Sequence, residues 1–377
     1  MNQKKRILWS VLVLFLVAVA IVAVLFGIWK KEEKQERENK KQEDVIQKET
    51  EDNSLKSEEA EPEETGTGDT TIIFAGDVLL SDYVLENYKN QGIGGVVNDT
   101  LLSQLQSADI TVVNEEFPFG TTGTKAEDKQ FTFRVNPSYI TVLQEMGVDA
   151  VTLANNHVLD FGEEALLETM ETLDSAGILY AGAGDSVERA KQVQKMEVNG
   201  KTYGMLAASR VIPVTSWNVE NHTPGVFCTY DATALVKEIQ QAKKKCDYLA
   251  VYVHWGVERN NQPEDYQRNL AKQYIDAGAD VVIGSHPHVL QGIEFYQGKP
   301  IFYSLGNFIF NQSIDKTMAV KLEIPEEGEP MIRLLPASAQ NARTGILEDT
   351  GAEELYRYVE SISEGVSVDE NGVVSQN

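Results

Sequence analysis

His157, His254, His286 and His288, four of the chain's five histidines, each stand at the exit of an apolar, β-prone run: "VDAVTLANNH", "DYLAVYVH" and "DVVIGSHPH". Ligands of open α/β sheets bind at the carboxyl ends of strands, so these exits predict one site built from three distant segments. His286 and His288 flank Pro287. Proline biases the residue before it to extended backbone, and alternate residues of an extended segment face one side. Two imidazoles would then aim at a common volume, as metal ligation requires. A surface loop holding two histidines is the competing reading. Taken alone, His254 reads as a satisfied core residue; its company makes it a ligand.

Acidic and amide groups sit at further strand exits. Asp77 closes "TTIIFAGD", where a capping role is the plain alternative. Glu115 and Glu116 are adjacent, so extended backbone sends them to opposite sides and only one can enter the site. "ANNH" offers Asn155, Asn156 and His157, with Asp160 three residues on. In a helical turn Asp160 would orient the His157 ring, as a carboxylate does behind a metal-site histidine. Carboxylate, amide and imidazole ligands without thiols suit Mn, Fe, Zn or Mg rather than a structural zinc.

The elements that must position these residues begin at Thr70. Short buried runs read as strands at "TTIIFAGDV", "ADITVVNEE", "FTFRV", "VDAVTLA", "GILYAGAG", "DYLAVYVH" and "DVVIGS". Helices are expected over 137–146, 163–176, 232–245 and 266–277, the first opened by Pro137 and the second closed by Gly177. Strands alternating with such helices predict a mostly parallel α/β sheet. Two hairpins add antiparallel strands, one around Asn199-Gly200 and one in "GIEFYQGKPIFYSLGNF". Beyond Asn311 the pattern weakens to two strands, a helix near 353–361 and a polar tail.

The formal charge of −25 over 377 residues excludes the basic footprint of a nucleic-acid binder. Cys228 and Cys246 are the only cysteines, too few for a disulfide framework, although one bridge could form outside the cytoplasm. Residues 7–29 are uncharged and overwhelmingly apolar, and about 20 residues at 1.5 Å rise span a bilayer. Lys4, Lys5 and Arg6 precede them, which predicts a cytoplasmic N-terminus of residues 1–6 and a single transmembrane signal anchor at 7–29. A cleaved signal peptide cut near "AVA" at 18–20 is the competing reading. Residues 30–69, rich in Glu, Lys, Gln and Thr, form a charged extracytoplasmic linker that cannot bury enough apolar surface to fold alone. The site-bearing domain is expected over 70–345, followed by the C-terminal helix and tail, 346–377.

"FAGDVLL", "VVNEEFPFG", "FRVNP", "LANNHVLDFG", "VYVHWG", "GSHPH" and "SLGNF" occur in the order found in the CapA family, associated with bacterial capsule and poly-γ-glutamate biosynthesis. The match runs from about Thr70 to Ile309, and seven ordered motifs make it specific. The CapA domain is similar in turn to calcineurin-like metallophosphoesterases, which implies a four-layer α/β/β/α sandwich with two metals. On that likeness Asp77, Glu116, Asn156, His254, His286 and His288 match metal ligands, and His157 the histidine that protonates a leaving group. The superfamily carries a histidine two residues after the first aspartate, where this chain has Leu79. That departure removes a ligand from one metal position. Asn307 belongs to the CapA pattern without a physical role of its own.

The resemblance implies a membrane-anchored, extracytoplasmic component of capsule or poly-γ-glutamate synthesis and export, working beside membrane subunits of a polymer synthase. The ligand set separately implies an extracellular metal-dependent hydrolase of phosphodiester or polymer amide bonds, with His157 as general acid assisted by Asp160. A third reading is a non-catalytic module that binds an anionic polymer, with Arg134 and Arg210 as anion contacts.

Overall fold

The computed structural model describes residues 68–377. The expected anchor at 7–29 and most of the charged linker lie outside the described residues. Among the described residues no helix is long and apolar enough to cross a membrane.

The chain is a mixed α/β fold built on two large sheets. In the first, β1 (Thr70–Val78), β2 (Ile110–Glu115), β3 (Ala150–Thr152) and β4 (Leu179–Ala181) run parallel, side by side. A two-residue strand, β5 (Ala183–Gly184), follows. The second sheet starts with the hairpin of β6 (Gln194–Val198) and β7 (Lys201–Ser209). Its turn is Asn199-Gly200, both at positive φ (49° and 72°), as a two-residue hairpin loop requires. After β8 (Gly225–Val226), which pairs with β5, come β9 (Tyr248–His254), β10 (Val281–Ser285), β11 (Leu290–Tyr296) and β12 (Lys299–Leu305). The second sheet has the order β11-β12-β10-β9-β7-β6. The chain then returns to the first sheet through β13 (Asn307–Ile309), β14 (Ser313–Ile324), β15 (Met331–Gln340) and β16 (Arg343–Ile346). That sheet reads β16-β15-β14-β1-β2-β3-β4, with β13 beside the end of β1.

Every residue of β9 and β10 is buried, as expected of parallel strands covered on both faces. Alternation sorts them. Leu249, Val251, Val253, Val282, Ile301 and Tyr303 meet Leu235, Ile239, Ala271 and Tyr274 of the helices Thr233–Ala242 and Asp265–Ala277. Tyr248, Ala250, Tyr252, Val281, Ile283 and Phe302 turn the other way, into one core with the strands of the first sheet. The Tyr252 hydroxyl donates to the Ala75 carbonyl at 2.8 Å and ties β9 to β1 across that core. Leu101 and Leu105 of the helix Asp99–Ser107, with Leu166 and Leu173 of the helix Gly162–Ala176, complete it. Each such side chain contributes about 1.5–3 kcal/mol on full burial.

Two segments differ from the sequence reading. "FTFRV" forms no strand; only Val135 makes a bridge, to Phe119. Its Phe133 N–H donates instead to the Asp160 carboxylate at 2.7 Å, so a side chain replaces the ladder partner. The expected polar tail contains a small hairpin of β17 (Val366–Val368) and β18 (Val374–Gln376). It follows the helix Asp349–Ile362, whose Leu355 and Val359 belong to the main core.

Both cysteines are free and buried. Cys228 lies beside Ser209 at one end of β7, and Cys246 beside Gly204, five residues away. At about 3.3 Å per residue that is too far for a bridge.

Candidate metal centre

Parallel strands of both sheets end at one rim, and the polar cluster is built there. Asp77 is register partner to Asn114 on β2 and to Asn307 on β13, and His254 to Ser285 and Ser209. Asp77, Glu116, His254 and His286 are all buried. Two groups of ligand atoms result, each within 4.8 Å of one another: Glu116, His254 and His286, and Asp77, Glu116 and His288. Glu116 is common to both.

The second sheet supplies the imidazoles. His254 Nδ1 lies 3.0 Å from the Ser285 hydroxyl, leaving Nε2 to face the site. That atom is 3.1 Å from His286 Nδ1, 2.9 Å from Asn156 Oδ1 and 3.6 Å from Glu116 Oε1. His288 Nδ1 is 2.7 Å from Asn307 Oδ1 and 3.5 Å from Asp77 Oδ2. The expectation that Pro287 holds its neighbours extended fails: His286 has φ 97° and His288 φ 58°. The chain must turn between the ends of β10 and β11 within Ser285–Leu290, and it does so with left-handed backbone that non-glycine residues seldom adopt. The rings still converge, their centroids 5.9 Å apart.

Burial, followed by its imidazole neighbours His286 and His288, holds His254 well below the usual histidine range. Burial and then His288 bring His286 down to about 4. Both rings are therefore neutral at physiological pH, with lone pairs to offer. Burial, then the Asp77 carboxylate, pushes Glu116 well above the usual carboxylate range. Burial opposes charge on His288, but Glu116 and Asp77 outweigh it and raise this ring to about 10. Glu116 and His288, 3.9 Å apart, thus titrate as a pair and retain a proton that a cation between them would displace. Neither Glu116 oxygen has a hydrogen-bond partner, although the residue is fully buried. Such a carboxylate costs several kcal/mol unless a cation compensates it. The donor set and this orphaned carboxylate fit a divalent metal.

Glu115 belongs to neither group, in keeping with the alternation of extended backbone. It is nevertheless buried, without a partner for either oxygen, and burial raises its proton affinity well above normal. Asn155 is a brace rather than a ligand. Its Oδ1 accepts from the His157 and Val158 amides, and its Nδ2 donates to Asn114 Oδ1 and the Glu115 carbonyl.

His157 stands apart from both ligand groups. Its Nδ1 is 2.7 Å from Asp160 Oδ2, within a turn closed by the Asp160 amide on the His157 carbonyl. The Phe133 ring covers it at 4.5 Å. Lys129, which no pattern in the sequence marked, also reaches this pair. Its Nζ donates to Asp160 Oδ1 and to the Asn156 carbonyl and lies 3.0 Å from His157 Nδ1. Burial lowers the proton affinity of this ammonium against the pull of Asp160. Burial likewise lowers that of His157, which Asp160 partly restores.

Leu79, where a further ligand was missed, is buried and carries none. Arg134 donates to the Thr122 carbonyl at 2.9 Å and stacks on Phe161. Arg210 follows β7 and gives its backbone N–H to the His254 carbonyl at 2.7 Å.

A family model described as "Bacterial capsule synthesis protein PGA_cap" matches residues 71–312, a span that includes every ligand from Asp77 to His288. The chain belongs to this bacterial capsule synthesis family. The chain is also similar to the PGA biosynthesis protein CapA of Bacillus subtilis, 32% identical over 71% of this chain and 71% of its own length. The capsule biosynthesis protein CapA of Bacillus anthracis is 30% identical over 72% of this chain and 67% of its own. A solved structure of a hypothetical protein from Thermus thermophilus aligns over 71% of this chain and 98% of its own, with 17% identity and a TM-score of 0.44. Within the PGA_cap span, sequence reasoning passed over Asn114 and Lys129. Asn114 donates to Asp77 Oδ1 at 2.7 Å. Its place one residue before the Glu115-Glu116 pair was the available signal; Lys129 lies in an aperiodic loop and offered none.

Proposed function

We propose that this chain is a membrane-anchored, extracytoplasmic component of capsule or poly-γ-glutamate synthesis whose folded domain performs a metal-dependent hydrolytic step. The synthesis role is supported by the names of the CapA relatives. The location is supported by the basic residues 4–6 before the apolar run 7–29. The observation that carries the chemistry is the Glu116 carboxylate, buried and unpartnered between two ligand groups. Likeness to metallophosphoesterases agrees with that arrangement.

Asp77, Glu116 and His288 would hold one cation, and Glu116, His254 and His286, with the Asn156 amide oxygen, a second. A bound Mn, Fe, Zn or Mg ion would supply Lewis acidity toward a phosphoryl or carbonyl oxygen. Asp160 holds His157 by Nδ1, so Nε2 is the atom free to deliver a proton to a leaving group. Lys129 fixes Asp160 and the Asn156 carbonyl together, so the acid and the adjacent ligand keep their spacing. Membrane subunits of a polymer synthase are the proposed partners. The apolar Leu79 favours a second reading, a module that binds anionic polymer through one metal without turnover.

Metal analysis of the full-length chain separates these readings. Binding of one or two equivalents is expected; a chain that refuses Mn, Zn, Fe and Mg in excess ends the hydrolase reading. His157→Ala should retain its metal and lose about 10²–10⁴-fold in hydrolysis. Loss of metal would instead make His157 a ligand. Deleting the gene should abolish surface polymer, and an unchanged capsule would remove the synthesis role.

A further inference from the structure

Arg210 leaves the rim of the second sheet pinned to His254 through its backbone. Its guanidinium lies 4.2 Å from the Tyr230 ring and 5.2 Å from the Tyr266 ring. Among the described residues it makes no ion pair and no side-chain hydrogen bond. Arg268, Arg333, Arg343 and Arg357 each lie against a carboxylate, Arg134 and Arg189 donate to carbonyls, and Arg259, like Arg210, has neither partner among the described residues. In a chain of net charge −25, an arginine held between two rings and left without an acid is available for an anion from outside. Stacking occupies the flat face of a guanidinium and leaves its in-plane N–H donors free.

The two phenols point to the same use. Tyr230 Oη accepts the Ile212 amide at 3.2 Å, and Tyr266 Oη accepts the Gly256 amide at 2.7 Å. Each oxygen is fixed by an incoming N–H, and neither phenol donates its own proton to a described residue. Tyr230 is half exposed, so the cluster is open to solvent. Tyr266 is tied to Gly256, two residues beyond His254. Gly256 in turn abuts Pro287, where a Cβ would stand 2.9 Å from the proline ring. The donors therefore share a strand exit with the metal ligands.

We propose that Arg210, Tyr230 and Tyr266 form a carboxylate-binding subsite that seats a pendant carboxylate of the polymer beside the metal cluster. One guanidinium and two hydroxyl donors match a monoanion with two oxygens. A phosphate dianion would find a single compensating charge in a strongly acidic protein. The proposal rests on reading this chain as a polymer-synthesis protein and adds the chemical group it grips.

The test is calorimetric titration of the full-length chain, in mild detergent, with a short oligo-γ-glutamate and, separately, with inorganic phosphate. The oligomer should bind and phosphate should not. Arg210→Gln should weaken the oligomer about tenfold or more, and Tyr230→Phe, which removes only a hydroxyl on a half-exposed ring, about threefold. Arg357→Gln should leave it unchanged. Oligomer binding unaffected by both Arg210→Gln and Tyr230→Phe, or no binding by the parent chain, overturns the proposal. Tighter binding of phosphate that depends on Arg210 overturns the carboxylate assignment. Metal content of the same samples is read independently. A metal-free chain that still grips the oligomer through Arg210 keeps the subsite and removes the hydrolase reading.

Discussion

At the scale of single residues, Glu116 is, like Glu115, a fully buried carboxylate with no hydrogen-bond partner for either oxygen, but Glu116 also faces His254 at 3.6 Å and His288 at 3.9 Å. Its folded-state proton affinity is raised, so with rising pH the unfolded chain ionises first and the native chain retains its proton. Without metal, stability therefore falls as pH climbs past about 4.3, the ordinary glutamate value. Glu116→Gln removes that dependence. Thermal melts in chelator should show the variant about 1–3 kcal/mol more stable at neutral pH, while metal titration shows affinity down by about 100-fold. A variant less stable in chelator and unchanged in metal affinity would mean that the carboxylate serves some other purpose. Cys228 gives an independent check on burial. Burial, then the Glu220 carboxylate, push its thiol up to about 12. Between the ordinary thiol range and that value the unfolded chain has lost a proton the native chain keeps, so stability declines as pH rises there. At pH 8 a thiol reagent should modify Cys228 slowly in native protein and rapidly in urea.

At the scale of elements, the site depends on how closely β1 approaches the turn between β12 and β13. A Cβ on Gly76 would lie 1.9 Å from the Gly306 carbonyl oxygen, and the next amide, that of Asp77, donates to the same oxygen at 2.9 Å. Only glycine permits this contact, and it also brings Asn307 level with Asp77. Gly76→Ala must push the strand and the turn apart, at a cost of about 3 kcal/mol. Because Asp77 moves with them, urea denaturation and metal titration should weaken together. A stable variant with weakened metal binding would confine the effect to the ligand. The same close fit gives Asn307 a role that the sequence withheld: it is the acceptor beside His288 Nδ1.

At the scale of the whole molecule, the C-terminal segment is part of the fold. Leu355, Tyr356 and Val359 of the helix Asp349–Ile362 enter the main core, Tyr358 accepts from Asn261, and Ser363 accepts from the Ile293 amide on β11. Three buried side chains at about 1.5–3 kcal/mol each rival the 5–15 kcal/mol of an entire domain. A chain ending at Ile346 should melt without cooperativity and be digested rapidly by protease; a sharp transition would show that the helix is dispensable. What the sequence determined alone was local. Apolar runs gave the parallel strands, Asn199-Gly200 gave a hairpin, and the histidines at strand exits located the site, because periodicity and turn chemistry act over a few residues. Alternation also admitted only one of Glu115 and Glu116 to the site, and the CapA resemblance chose Glu116. Only the tertiary structure decided that Glu116 is shared by two ligand groups and that Lys129 crosses to Asp160. It alone turned His286 and His288 inward on left-handed backbone and left Arg210 without an acid. Those outcomes depend on the meeting of segments far apart in sequence, from Lys129 and Asp160 to Asp77 and His288, where burial and the supply of partners are set by packing and leave no periodic trace in the chain.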